Sequence, residues 1–156
     1  MQAHPLEDTA VKDFALAGKA LFTLRNTTTG GRFTFKVVKA KEDKDSPLPV
    51  EVWFVKMLTG PDNNTHYEFV GTFQRRRASG QIYFRYSARS RISVNAPTVK
   101  AAEWFSKCLD YDRYPSMMEA WHEGRCGRCG RRLTVPESIS TGLGPVCAAK
   151  AAQRAA

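Results

Sequence analysis

The segments Ala20–Asn26, ALFTLRN, and Arg32–Lys41, RFTFKVVKAK, set the fold class of this chain. Both are rich in aromatic and β-branched residues, which favour strands. They flank Thr27-Thr28-Thr29-Gly30-Gly31, whose paired glycines permit the positive φ angles of a hairpin loop. A charged, Pro47-containing loop, Glu42–Leu48, follows, and Val50–Leu58 (VEVWFVKML) reads as a third strand. The turn cluster Gly60-Pro61-Asp62-Asn63-Asn64 leads to Tyr67–Gln74 and, across Arg75–Gly80, to Gln81–Ser87. Five antiparallel strands are therefore expected.

Asn95 is placed to cap a helix, and Pro97 suits its first turn. Val99, Ala102, Phe105 and Cys108 or Leu109 then recur at helical spacing and form one apolar stripe. One helix covering one face of an antiparallel sheet is a stable two-layer core, so the class is α+β. Three regions are expected: an N-terminal arm over 1–19, the sheet domain over 20–114, and a cysteine-rich module over 115–156, joined through Tyr111–Pro115.

That module carries His122-x₃-Cys126-x₂-Cys129-x₁₇-Cys147. Zinc takes four ligands in a tetrahedron, and two cysteines two residues apart reach it from one tight turn. Gly127 and Gly130 suit such a turn and free backbone N–H groups to face the sulfurs. Cys147 follows Gly142-Leu143-Gly144-Pro145 and starts a helix-prone tail, where the helix dipole favours a thiolate. A knuckle on a loop with a ligand on a following helix resembles the treble-clef arrangement. His122 is expected as fourth ligand of one structural zinc ion; Cys108 is its rival but belongs to the apolar stripe. His4 and His66 read as surface histidines. A redox dithiol lacks its βαβ context, and a disulfide requires an oxidising compartment that nothing in the chain indicates.

The residues Trp121–Arg131 (WHEGRCGRCGR), Leu133–Ile139 (LTVPESI) and Gly142–Cys147 (GLGPVC) resemble a zinc-ribbon-like domain of unknown function, widespread in bacteriophage and mobile-element proteins. The resemblance covers about the last 35 residues, with a weaker echo at Gly18–Ala20 and Thr29–Thr34. It implies a metal site and a phage setting and attaches no activity.

The formal charge of +9 is concentrated in the second half: residues 1–70 are balanced, nine cations against nine anions, whereas 71–156 hold fifteen against six. A basic half attracts polyanions, although a merely solvated surface has the same composition. Two groups stand out. Arg125, Arg128, Arg131 and Arg132 surround the knuckle, more charge than the net −1 of a tris-thiolate zinc centre needs. Arg75, Arg76 and Arg77 lie near Tyr83, Arg85, Arg89 and Arg91, and strand alternation puts Tyr83 and Arg85 on one face. An aromatic beside an arginine on an open sheet suits a single strand, or Tyr83 simply covers the sheet.

No catalytic grouping is visible, and no apolar run reaches the roughly 20 residues of a membrane span. The start of the chain lacks a signal-peptide pattern, so a bacterial host cytoplasm is the expected location. The expected function is a non-enzymatic, phage-type zinc-finger protein that binds DNA or RNA through its basic half. The alternative is an anti-defence protein, such as an anti-CRISPR, that binds a host effector or nucleoprotein complex. A small-molecule substrate is not expected.

Overall fold

The computed structural model describes residues 4–59, 66–133 and 136–155, with the side chains of 136–137 and 151–155 excepted. The five expected strands form as β2 (Lys19–Asn26), β3 (Arg32–Lys39), β4 (Val50–Leu58), β5 (Tyr67–Arg76) and β6 (Ile82–Tyr86). Two more complete the sheet: β1 (His4–Leu6) and β7 (Met118–His122). The order is β1-β7-β2-β3-β4-β5-β6, all antiparallel. Among the described residues the sheet thus has seven strands rather than five.

The helices are α1 (Asp8–Ala15), α2 (Pro97–Tyr111), α3 (Pro136–Thr141) and α4 (Pro145–Ala155). α2 buries Val99, Ala102, Phe105, Cys108 and Leu109, the expected stripe, together with Ser106. Its N-cap is Ala96, not Asn95, and no side chain caps it. Pro97 removes one of the N–H groups that a cap would otherwise have to satisfy. Phe105 meets Phe22, Phe35 and Phe73, with ring centroids 5.3–6.1 Å apart, so α2 lies across the middle of one sheet face. On the same face α1 contributes Phe14, edge-on to Phe22, and Leu16 just beyond it accepts a hydrogen bond from Trp53 Nε1 at 3.1 Å.

The expected regional boundaries cut through this sheet. Of the arm expected over 1–19, the described residues from His4 onward are not separate: β1 pairs β7, and α1 buries Ala10, Val11, Phe14 and Ala15 in the main core. Nor does the sheet stop at 114, because β7 pairs β2 through five residues, from Phe22↔His122 to Asn26↔Met118. His122 is therefore a sheet residue, and the cysteine module hangs directly from the end of β7.

Alternation along the strands sorts the side chains. Phe35, Val37, Trp53, Val55, Met57 and Phe73 point to the helices and are fully buried. Lys36, Phe54, Lys56, Tyr83 and Arg85 point the other way, to a face that neither α1 nor α2 covers. A β-bulge between Val55 and Lys56 leaves Val70 extra on β5.

Candidate metal centre

Beyond β7 the chain turns at Gly124 (φ 81°) and forms a narrow hairpin, with Arg125 bridging Arg132. Cys126 N–H donates to Arg131 O at 2.8 Å, and Gly130 N–H donates to Cys126 O at 2.9 Å. This closes the Cys126–Cys129 knuckle. Gly130 takes φ 78°, the left-handed conformation that the turn requires and glycine supplies without steric cost. Cys147 is the third residue of α4, as its sequence context indicates.

The three elements bring the Sγ atoms of Cys126, Cys129 and Cys147 within 4.8 Å of one another, a group able to hold a metal ion. Cys126 and Cys147 are buried and Cys129 is exposed. The N–H groups of Arg128 and Gly144 each point at Cys126 Sγ at 3.4 Å, and Arg128 Nη1 lies 3.9 Å from Cys147 Sγ. Burial raises the Cys126 thiol, but the N–H groups of Gly144, Cys129 and Arg128 outweigh it and bring its pKa down to about 7. Burial pushes Cys147 up; the Arg128 guanidinium opposes this, while the two neighbouring cysteines add to it. Donors aimed at sulfur are what a thiolate ligand needs around it.

His122 does not join the three cysteines. Its ring is 1% exposed and both nitrogens are engaged elsewhere: Nδ1 accepts from Gly124 N–H at 3.0 Å, and Nε2 lies 2.6 Å from Ile139 O. A neutral ring with its proton on Nε2 satisfies both bonds. Burial lowers its pKa, the Ile139 carbonyl partly restores it, and His4 lowers it further. The expected fourth ligand is thus a structural histidine that ties β7 to α3. The reason is strand alternation: Met118, Ala120 and His122 all point into the protein. His4 is no isolated surface residue either, because it pairs His122 across β1 and β7 with ring centroids 5.5 Å apart. Cys108 stays on the buried stripe of α2, and burial raises its thiol pKa.

The cysteines line a surface cavity of about 470 Å³ together with Arg128, Arg131, Arg132 and Lys150. Arg131 and Arg132 are exposed; Arg125, also exposed, donates to Gly130 O at 3.3 Å. Lys150 belongs to no motif in the sequence, yet it falls one helical turn after Cys147.

The other basic group is broken up. Arg75 donates to Glu51 Oε2 at 2.6 Å and lies over the Trp53 ring at 5.1 Å. Arg77 pairs Glu42 at 2.8 Å and donates to Leu48 O. Arg76 sits 5.0 Å over the Tyr83 ring, whose hydroxyl donates to Gln74 Oε1. Two of the three consecutive arginines are therefore paired within the protein, Arg75 half-buried and Arg77 at the surface, and Tyr83 already carries a cation. Arg85 is exposed on the uncovered sheet face opposite Thr72, while Arg89 and Arg91 are exposed in the loop after β6. What linear reading missed is the contribution of the neutral half: Lys36 and Lys56, on β3 and β4, face each other directly on that same side. The strict alternation of both strands was the available signal.

Among the described residues, no helix is long and apolar enough to cross a membrane. A family model described as a family of unknown function (DUF6011) matches residues 117–152, from the turn before β7 into α4. Its description names neither a phage protein nor a zinc ribbon. No curated protein and no solved structure matches the chain.

Proposed function

We propose that Cys126, Cys129 and Cys147 hold a zinc ion in a treble-clef-like knuckle, and that this centre presents cations to the phosphates of a nucleic acid. A soft, three-thiolate donor set with one pair two residues apart suits zinc above harder cations. Tetrahedral zinc with sulfur bonds of about 2.3 Å needs sulfurs about 3.8 Å apart, which is compatible with the observed 4.8 Å limit. The observation that carries the nucleic-acid reading is the ring of Arg128, Arg131, Arg132 and Lys150 around the cysteine-lined cavity, with no carboxylate among its described lining residues. Arg128 serves the sulfurs; the other three exceed the single negative charge left to offset and are free to meet phosphate. The described lining also offers no imidazole or carboxylate as general base, which favours a binding role over an enzymatic one.

Zinc analysis together with a gel shift on random single- and double-stranded oligonucleotides tests this. About one zinc per chain and a shift that weakens steeply with salt are expected. Absence of a shift at low salt removes the nucleic-acid function, and absence of metal removes the knuckle.

A second reading, a phage anti-defence protein that binds a host effector, draws support from a different place. Between α2 and the β2–β3 hairpin lies a largely apolar cleft of about 460 Å³, lined by Trp104, Met117, Phe33 and Pro97 among others. Trp104 and Met117 are 42% and 46% exposed, and an exposed aromatic–methionine surface suits a protein partner. Retention of one host protein from nuclease-treated lysate, lost in Trp104→Ala, is the outcome this reading requires.

A further inference from the structure

Lys36 on β3 and Lys56 on β4 are directly opposed partners at the centre of the sheet, both exposed on the face that α1 and α2 leave uncovered. Like charges directly across an antiparallel pair destabilise it, and among the described residues no ion pair relieves either lysine, Lys36 having only the Tyr67 ring 5.5 Å from its Nζ. Next to them Phe54 is 44% exposed, an unusual position for a phenylalanine in a central strand. The Phe54 ring is held edge-on by Phe69, 6.2 Å away, so its other surfaces are presented rather than collapsed onto the sheet. Lys36, Phe54, Lys56, Phe69 and Arg89 together line a groove of about 650 Å³. Arg85 adds a further cation on the same face.

We propose that this uncovered sheet face is a binding platform for single-stranded nucleic acid, with a base stacked on Phe54 and phosphates held by Lys36 and Lys56. The proposal rests on the nucleic-acid reading above and narrows it to one strand form and a second site. Charge selects the occupant: a second copy of the chain would set the lysine pair against itself, whereas a polyanion relieves it. The aromatic selects further. A single strand offers unstacked bases at a spacing that alternates with phosphates, and every base has a face for a ring to stack on. A duplex keeps its bases stacked on one another, so unless it is kinked it offers the Phe54 ring no free base face.

The test is fluorescence anisotropy of the full chain with labelled oligo(dT) and oligo(rU), beside a blunt hairpin duplex and anionic phosphatidylglycerol vesicles. Phe54→Ala is expected to weaken single-strand binding about tenfold, within the range for loss of one stacking platform. Phe54→Trp should restore it, and neither should change duplex binding. Lys36→Ala/Lys56→Ala should flatten the salt dependence for single strands by about 1.4 in log–log slope, two phosphates at about 0.7 each. Phe54 and both lysines are on the surface, so the fold is expected to survive, with circular dichroism as the check. Single-strand binding unchanged in both variants overturns the proposal, as does wild-type binding to the duplex alone; the nucleic-acid reading survives both results. Binding to vesicles that Phe54→Ala abolishes overturns it in favour of a lipid surface. If no oligonucleotide binds at all, the platform and the broader reading fall together.

Discussion

The ring of Phe14, on α1, lies so close to Gly142 that a Cβ on the glycine would clash with Phe14 Cδ2. The other side of the clamp is Gly127, inside the cysteine knuckle, where a Cβ would meet the same ring at 2.7 Å. Gly127 N–H also donates to Gly142 O, and Lys19 N–H to Gly127 O. One aromatic side chain of α1 thus locks the cysteine knuckle to the sheet. Its burial at 1% exposure means that neither partner can change size freely.

Gly142→Ala is expected to destabilise the protein by about 2–5 kcal/mol, the sum of a left-handed alanine at φ 74° and an overpacked contact. Phe14→Ala, which leaves a cavity, should cost about 3–5 kcal/mol. The double variant should lose clearly less than the two together, because the new methyl enters the space the ring vacates. Urea denaturation of the four proteins measures this. Strict additivity would show that the two residues do not share one space.

Serine at Cys126, Cys129 or Cys147 is expected to abolish zinc retention, while Cys108→Ser should leave it intact. His122→Ala should keep its zinc and lose stability instead, by about 2–4 kcal/mol, as two buried hydrogen-bond partners and the ring's packing disappear. Elemental analysis of purified variants decides between the roles. Loss of metal in His122→Ala at unchanged folding would return the histidine to the ligand set.

Chelation should release more than the knuckle. Since α1 is clamped by Gly127 and Gly142, hydrogen exchange is expected to show lost protection over residues 125–150 and 8–16 together, with β2 to β6 retained. Loss confined to the knuckle would mean that the Phe14 clamp forms without metal.

Glu51 sits between Arg75 and Lys39, at 2.6 and 3.1 Å. Burial raises its pKa, but hydrogen bonds and charge from Arg75 and then Lys39 outweigh this and bring it down from 4.5 to about 2. A carboxyl with a lowered folded pKa stabilises fully above its ordinary value, and that contribution disappears as pH falls from 4.5 toward 2. Glu51→Gln should therefore cost about 1–3 kcal/mol at pH 7 and progressively less below pH 4.5. Thermal melts of both proteins across that window check the sign.

Arg75→Ala should lower the melting temperature and leave the salt dependence of duplex binding unchanged, since its guanidinium is committed to Glu51 and Trp53. Arg131→Ala/Arg132→Ala should do the reverse, reducing the slope of log affinity against log salt by about 1.8, two duplex phosphates at about 0.9 each. Parallel melts and salt titrations at equal zinc content separate the two effects. A flatter slope in Arg75→Ala would overturn the commitment of that arginine to Glu51 and Trp53.

Local pattern was sufficient for much of this protein. Strand periodicity from Lys19 to Tyr86 and the apolar stripe of α2 are read directly from neighbours in the chain, because side-chain direction repeats every two or 3.6 residues. The cysteine spacing likewise carries its own chemistry, since a two-residue gap between thiols is a local geometric fact. Three features depended on partners far away in sequence. β1 has three residues, one of them Pro5, and β7 has five, so both are too short for a pattern and exist because β2 offers an edge to β7 and β7 to β1. His122 has ligand spacing, yet alternation in β7 turns it inward to Ile139 and away from the sulfurs. The arginine run Arg75–Arg77 looks like a patch in one dimension, but pairing with β4 brings Glu51 to Arg75, while the neutral half supplies Lys36 and Lys56 to the open face. Charge and ligand type are properties of residues, whereas the face, the partner and the fourth coordination position are properties of the packed sheet.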